Sequence, residues 1–355
     1  MIEPIWDPEG VGPEWLTRVL DRDGALDGSR VTHVAGTAIG TGQVGCNVRY
    51  RLTYDRPGPG PESVVIKFAS RSETSRATGV QTLTYETEVA FYQDLADTVD
   101  VDRPHCHYAA IEAGTPNVVL VLEDIDASPG DQIAGCRPDH VALAMDQAAR
   151  LHGPRWGDRT LFDVPWLAAK AASPYDLGPV VAMLWPTFAD RFQALLTEES
   201  LAVGEQLSRA KTWLAPEPGP ATVCHSDFRL DNILFGEPSG RHPITVVDWQ
   251  TVNLGCGTAD VSYFLSAAVA PAERRRIERE MVGRYHRELG RYDIGDYDFD
   301  RCWDDYRRHS FAGFFMAVAA SLMVERTERG ERMFATMANG AAAQVVDLGA
   351  TGFLR

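Results

Sequence analysis

The segment from His225 to Asp248 constrains this chain most. It reads His225-Ser226-Asp227-Phe228-Arg229-Leu230-Asp231-Asn232, runs through apolar residues, and reaches Val246-Val247-Asp248-Trp249-Gln250. Asp227 and Asn232 lie five positions apart, and Asp248 follows on the next hydrophobic strand. Phosphoryl transfer uses such a set: one carboxylate orients an acceptor hydroxyl, while an Asn and a second carboxylate hold Mg²⁺ against nucleotide phosphates. The spacing therefore predicts ATP-dependent phosphotransfer.

Within this set Asp227 is the expected base or hydroxyl-orienting group. A loose transition state makes positioning matter more than proton removal. Asn232 and Asp248 are oxygen ligands suited to Mg²⁺. Arg229, two residues after Asp227, is placed to offset charge on the transferred phosphoryl group. His225 is expected to brace the loop, and Asp231 to be solvated or structural. Asp260, after Gly255-Cys256-Gly257-Thr258-Ala259, opens an apolar helix and reads as an N-cap, with tying down the catalytic loop as the alternative.

Upstream, Gly40-Thr41-Gly42-Gln43-Val44-Gly45 matches Gly-x-Gly-x-x-Gly. In a dinucleotide-binding unit a helix would follow. Here Asn47 to Tyr54 alternates like a strand, which favours a hairpin whose backbone N–H groups cover phosphates. The chain has three lysines, and Lys67 lies inside the apolar run Val64-Val65-Ile66-Lys67-Phe68. Burying it demands a partner; nucleotide α- and β-phosphates and a helix carboxylate would serve. Glu88 is the better placed carboxylate, with Glu86 the rival. Glu123-Asp124-Ile125 ends a continuous apolar strand; it reads either as a charged exit from a core strand or, in a bilobal kinase, as the place where backbone groups bind the adenine edge, with Glu123 and Ile125 as the candidates. Pro104-His105-Cys106-His107 suggests a metal cluster, but neighbours this close in a strand are expected to point to opposite faces, and no second ligand pair is evident.

With 355 residues the chain is long enough for two lobes. A net charge of −16 argues against a nucleic-acid partner, whose phosphates need basic patches. The start is acidic and lacks the apolar stretch of a secretory signal. The apolar run from 312 to 324 falls short of the roughly 20 residues that span a bilayer. The six cysteines form no Cys-x-x-Cys pair and read as reduced core thiols, so a cytoplasmic location without a membrane partner is expected.

Periodicity and turn residues predict a helix over 12–28, strands over 31–39, 47–54, 63–69 and 118–122, and a helix over 82–96. Beyond residue 126, helices are expected over 139–152, 185–213, 272–289 and 300–329, with short strands at 232–235 and 244–248. The boundary falls near residue 124, giving a β-rich N-lobe over 1–124 and a helical C-lobe over 125–355.

The order of a Gly-rich hairpin, strand Lys67, helix Glu88, Leu122-Glu123-Asp124, His225-x-Asp227-x-x-x-x-Asn232 and Asp248-Trp249-Gln250 resembles the aminoglycoside phosphotransferase-like kinases, small-molecule relatives of the protein kinases. Glu88-x-x-Phe91-Tyr92, Leu151-His152-x-x-x-Trp156 and Val247-Asp248-Trp249-Gln250 look most like the ecdysteroid kinase-like branch. The resemblance covers roughly residues 30 to 270. It implies an α+β, bilobal protein-kinase-like fold with an antiparallel N-lobe sheet plus helix and a mainly helical C-lobe. It also implies ATP or GTP, Mg²⁺, and phosphorylation of a small-molecule hydroxyl. Family members often carry Gly where this chain has Ser226.

The acceptor stays open among aminoglycosides, macrolides, hydroxyacyl thioesters and other alcohols. The aromatic residues after Trp156 favour an apolar alcohol, whereas Asp293, Asp296, Asp298, Asp300, Asp304 and Asp305 would suit a cationic aminoglycoside. The balance leans to a non-aminoglycoside alcohol. A monomer or homodimer is expected. The rival readings are a catalytically weak nucleotide-binding module of the same fold and a dinucleotide-dependent oxidoreductase.

Overall fold

The computed structural model describes residues 2–40, 45–172, 177–210 and 219–354. They divide into two units, one of residues 1–96 with 103–126, the other of residues 97–102 with 127–355.

In the first unit, helix α1 (Pro13–Arg22) precedes strands β1 (Val31–Ile39), β2 (Gly45–Tyr54) and β3 (Ser63–Ala69), helices α2 (Glu73–Gln81) and α3 (Thr84–Ala90), and strands β4 (Cys106–Ile111) and β5 (Val118–Glu123). The five strands form one antiparallel sheet in the order β1-β2-β3-β5-β4. Strand alternation sorts its side chains onto two faces. Val64, Ile66, Phe68, Val119 and Val121 pack with Trp15, Leu16, Val19 and Leu20 of α1. Val118, Leu120 and Leu122 pack with Tyr85 and Val89 of α3. Lys67, between two residues of the α1 face, is thereby turned toward α3.

Sequence periodicity missed α2 and β4. The expected helix over 82–96 is α3 followed by a π-helical turn over Phe91–Leu95. β4 escapes because it is an edge strand whose residues are all half-buried, so it lacks a sharp apolar alternation.

The second unit contains β6 (Ser128–Pro129), α4 (Pro138–His152), α5 (Pro165–Ala172), α6 (Leu177–Phe192), α7 (Glu198–Arg209), β7 (Ala221–Cys224), β8 (Ile233–Phe235), β9 (Ile244–Val246) and β10 (Asn253–Cys256). It ends with α8 (Thr258–Ala267), α9 (Pro271–Leu289), α10 (Phe299–Arg308), α11 (Ala312–Met323) and α12 (Glu328–Asp347). Residues 97–102 join this unit through backbone bonds from Asp100 N to Arg150 O and from Val246 N to Asp102 O.

Caps subdivide the long helices read from periodicity. Thr197 accepts from Ser200 N and starts α7 afresh after α6. Extended Val324 ends α11, and Thr327 accepts from Gly330 N to start α12. Trp213, the expected end of one helix, lies outside the described residues. Trp185, Phe188, Phe192, Tyr306, Phe311 and Phe314 are buried core residues. Among the described residues, no helix is long and apolar enough to cross a membrane.

Candidate active site

Two short ladders bring the polar segments together. β7 pairs with β10, and β8 pairs with β9. Residues 225–232 lead from β7 to β8, and residues 247–252 lead from β9 to β10. Both connections therefore bridge the same two ladders and must run side by side. Val247 N donates to Asn232 O at 3.0 Å, and Thr251 Oγ1 donates to His225 O at 2.8 Å. His225 Nε2 lies 3.0 Å from Val247 O. His225 is buried against the Trp249 ring, which is a bracing position.

Asp227 sits at the centre of this arrangement. Its Oδ1 accepts from Tyr263 OH at 2.8 Å and Arg229 Nε at 3.0 Å; its Oδ2 accepts from Asn232 Nδ2 at 2.8 Å. Asn232 Nδ2 also donates to Asp227 O at 2.9 Å, so the donor end of the amide is committed and Oδ1 is its acceptor end. Asp248 Oδ2 accepts from Gln250 Nε2 at 2.9 Å. Ser226 and Asp248 both adopt left-handed backbone, with φ of 63° and 70°. This conformation is costly for residues with a Cβ and recurs at functional sites. It also explains why glycine suits the position of Ser226.

Asp260 is not a helix cap. Gly257 caps α8, and Asp260 lies in its first turn. Its buried carboxylate accepts from His225 N at 2.7 Å and Ser226 N at 2.9 Å, and lies 3.2 Å from His152 Nε2. It therefore anchors the backbone that carries Asp227. Three residues on, along the same helix face, Tyr263 anchors the Asp227 side chain. Burial, reinforced by the charge of Asp227, pushes the Tyr263 phenol well above its ordinary range, so it stays a proton donor. Sequence reasoning missed Tyr263, although its i,i+3 spacing from Asp260 was a usable signal.

Arg229 is more enclosed than its sequence assignment anticipates. Besides Asp227 it bonds Asp231 at 2.9 Å and lies 3.5 Å from Met333 Sδ. Burial opposes its charge, but Asp227, Tyr263 and Asp231 outweigh that and raise its pKa. Asp231 is structural: it accepts from Arg329 and from Gln132 N. Burial pushes its pKa up, yet these contacts and Arg229 bring it below the usual carboxylate value. Neither Met333 nor Arg329, both on α12, was marked by any local sequence signal.

The first unit holds a second polar pair. Lys67 Nζ lies 2.6 Å from Glu88 Oε2, with only 10% and 3% of the two side chains exposed. The rival Glu86 instead accepts from Gly114 N. Glu88 wins because it shares the inward helix face with Tyr85 and Val89. Gly45 abuts this lysine: a Cβ there would stand 3.0 Å from Lys67 Cε. Gly40 has a φ of 74°; Thr41, Gly42, Gln43 and Val44 lie outside the described residues. Strand β2 starts at Gly45, so no helix follows the glycines and the dinucleotide reading fails. Glu123 ends β5 and accepts from His105 N, while Ile125 is buried.

The sequence model of the phosphotransferase enzyme family matches residues 47–301. Among solved structures, the chain is similar to a candidate aminoglycoside phosphotransferase from Ralstonia eutropha JMP134, at 14% identity and a TM-score of 0.53 over 97% of this chain and 100% of that one. It is also similar to an ethanolamine kinase from Plasmodium vivax, at 11% identity and a TM-score of 0.51 over 89% and 81%. These likenesses establish an α+β fold of the protein-kinase-like type. A curated relative, mouse acyl-CoA dehydrogenase family member 10, shares 36% identity over 69 residues, which is 19% of this chain and 6% of that protein. The fold and the extent of the family match together show that the chain belongs to the phosphotransferase enzyme family.

Proposed function

We propose that this enzyme transfers the γ-phosphoryl group of ATP to a hydroxyl of a small molecule, and that the acceptor is an alcohol other than an aminoglycoside. The observation that carries the reading is the Asp227 carboxylate. Tyr263, Arg229 and Asn232 fix it from three directions, yet 16% of its side chain remains exposed. A carboxylate immobilised in this way can accept a hydrogen bond from an incoming hydroxyl and align its oxygen without reorganising.

The remaining roles follow from what each group has left to offer. Lys67, its charge balanced by Glu88, is assigned to the α- and β-phosphates, with the hairpin from Gly40 to Gly45 covering them. Glu123 and Ile125 are assigned to the adenine edge. Asn232, with Nδ2 spent, offers Oδ1, and Asp248 offers a carboxylate. These are the hard oxygen donors that suit Mg²⁺. Bound there, Mg²⁺ would neutralise charge on the β- and γ-phosphates. Arg229 acts by holding Asp227 and balancing Asp231.

The internal use of its acidic residues supports a non-aminoglycoside acceptor. Asp298 caps α10, Asp304 pairs with Arg307, and buried Asp305 accepts from Tyr297 OH. That depletes the carboxylate cluster a polycationic sugar would need. The net charge of −16 fits a small-molecule partner rather than a nucleic acid.

The test is a phosphate-transfer screen of alcohols, aminoglycosides, macrolides and hydroxyacyl thioesters with ATP or GTP and Mg²⁺. Turnover of an alcohol with ATP, abolished in Asp227→Ala with nucleotide affinity retained, supports the reading. Nucleotide binding without turnover of any acceptor would make the chain a binding module instead.

A further inference from the structure

We propose that Asp23, His105 and His107 form a binding site for a zinc-type divalent cation on the first unit, distinct from the oxygen donors Asn232 and Asp248. This proposal does not rest on the phosphotransfer reading. Strand geometry corrects the expectation that the two histidines diverge. They are two positions apart, and side chains at that spacing in an extended chain share a face. Pairing already includes His105, whose carbonyl accepts from Glu123 N at 2.8 Å.

The shared face is the one that meets α1. A register irregularity between Cys106 and Tyr108 lets Tyr108 join that face as well, where its ring packs edge-on to Trp15 at 5.8 Å. Cys106, Ala109 and Ile111 pack on the opposite, α3 face. Asp23 caps the C-terminus of α1 and so meets the histidines across 82 and 84 residues of sequence. His107 Nδ1 lies 2.6 Å from Asp23 Oδ2, and His105 Nε2 lies 3.0 Å and 3.1 Å from the two carboxylate oxygens. The imidazole rings stand 4.8 Å apart at 84°. One ligand atom from each of the three residues falls within 4.8 Å of the others.

Two imidazoles and a carboxylate are a donor set for borderline dications, which keep a further position open to water. Ligand atoms at tetrahedral zinc stand roughly 3.3 Å apart, given Zn–N and Zn–O distances near 2.0–2.2 Å. The triad's contacts, 2.6 Å at the shortest and within 4.8 Å throughout, bracket that spacing. His105 supplies the freedom, since 57% of its side chain is exposed, against 8% for His107. His107 Nε2 has no hydrogen-bond partner among the described residues, so the contact of Nδ1 with Asp23 is what holds this ring.

The other histidine–carboxylate group, His152, Cys224 and Asp260, differs on each point. It is fully buried, both Asp260 oxygens are already bonded, and burial raises the Cys224 thiol well above its usual range. At the Asp23 site a cation would fasten the end of α1 to the edge strand β4, next to Glu123, whose Oε2 accepts from His105 N at 3.2 Å.

The test is a Co²⁺ titration of the tag-free chain in excess Mg²⁺, followed by visible absorption and by competition with Zn²⁺. Wild type should bind one equivalent with the intensified d–d bands of imidazole ligation, displaced by Zn²⁺. Affinity should fall at least tenfold in His105→Ala and in Asp23→Asn, and stay unchanged in Asp248→Asn. His105 is mostly exposed, so that variant should fold normally, which circular dichroism would check. No saturable binding in wild type, binding unaffected in both His105→Ala and Asp23→Asn, or binding lost in Asp248→Asn would each overturn the proposal.

Discussion

Replacing Tyr263 with Phe removes one hydroxyl from the network around Asp227 and leaves the ring in its buried position on α8. Among the described residues, Asp227 Oδ1 then keeps Arg229 Nε at 3.0 Å, while Oδ2 keeps Asn232 Nδ2 at 2.8 Å and Arg229 Nε at 3.2 Å. A hydrogen bond to a charged group contributes about 1.5–3 kcal/mol. The two surviving donors still restrain the carboxylate, so the loss in orientation is set at the lower end. About 1.4 kcal/mol corresponds to a tenfold fall in kcat. Steady-state kinetics on an acceptor from the screen would read kcat and the KM for ATP separately. The expected outcome is that fall in kcat, a near-constant KM for ATP, and no further loss when Tyr263→Phe is added to Asp227→Asn, because both act through one carboxylate. A kcat within twofold of wild type, or a loss confined to the KM for ATP, would refute the assignment of Tyr263 as a positioning residue.

Other outcomes follow from the same contacts. Lys67→Met removes an ion-pair partner of buried Glu88 and should destabilise the chain by up to about 3–5 kcal/mol in denaturant unfolding, whereas Lys67→Met with Glu88→Met should recover much of that; both should weaken ATP binding. The Asp231 pKa is depressed below its ordinary 3.8 in the fold, so its contribution to stability is present above that value and lost as pH falls through the lower folded value. The stability difference between wild type and Asp231→Asn should therefore be full near neutrality and shrink in acid; a constant difference would contradict the network. At Ser226, φ is 63°, so Ser226→Gly should keep activity and change stability by less than about 1 kcal/mol, strain relief offsetting unfolded-chain entropy. Ser226→Val should be clearly worse on both counts.

Features set by local periodicity were legible in the sequence. Alternation along β3 turns Lys67 away from Val64, Ile66 and Phe68, and the strand pattern after Gly45 separates a hairpin from a dinucleotide-binding turn. The 225–232 motif could be read because its parts are close in sequence. Features that depend on packing were harder to see. Glu86 and Glu88 are separated only by which of them shares a face with Tyr85 and Val89. Arg329 reaches Asp231 across 98 residues, and Asp23 reaches His107 across 84. No spacing rule spans such distances. The histidine pair was a different kind of miss, because its i,i+2 spacing already implied a shared face.

In the proposed site Asn232 and Asp248 hold Mg²⁺ for a nucleotide while Asp227 serves the acceptor. Calorimetric titration of ATP into wild type, Asp227→Asn and Asp248→Asn, each with and without Mg²⁺, separates the two roles. Binding should require Mg²⁺, persist in Asp227→Asn and be lost in Asp248→Asn. Binding by wild type that ignores Mg²⁺, or no binding at all, would rule this division of roles out.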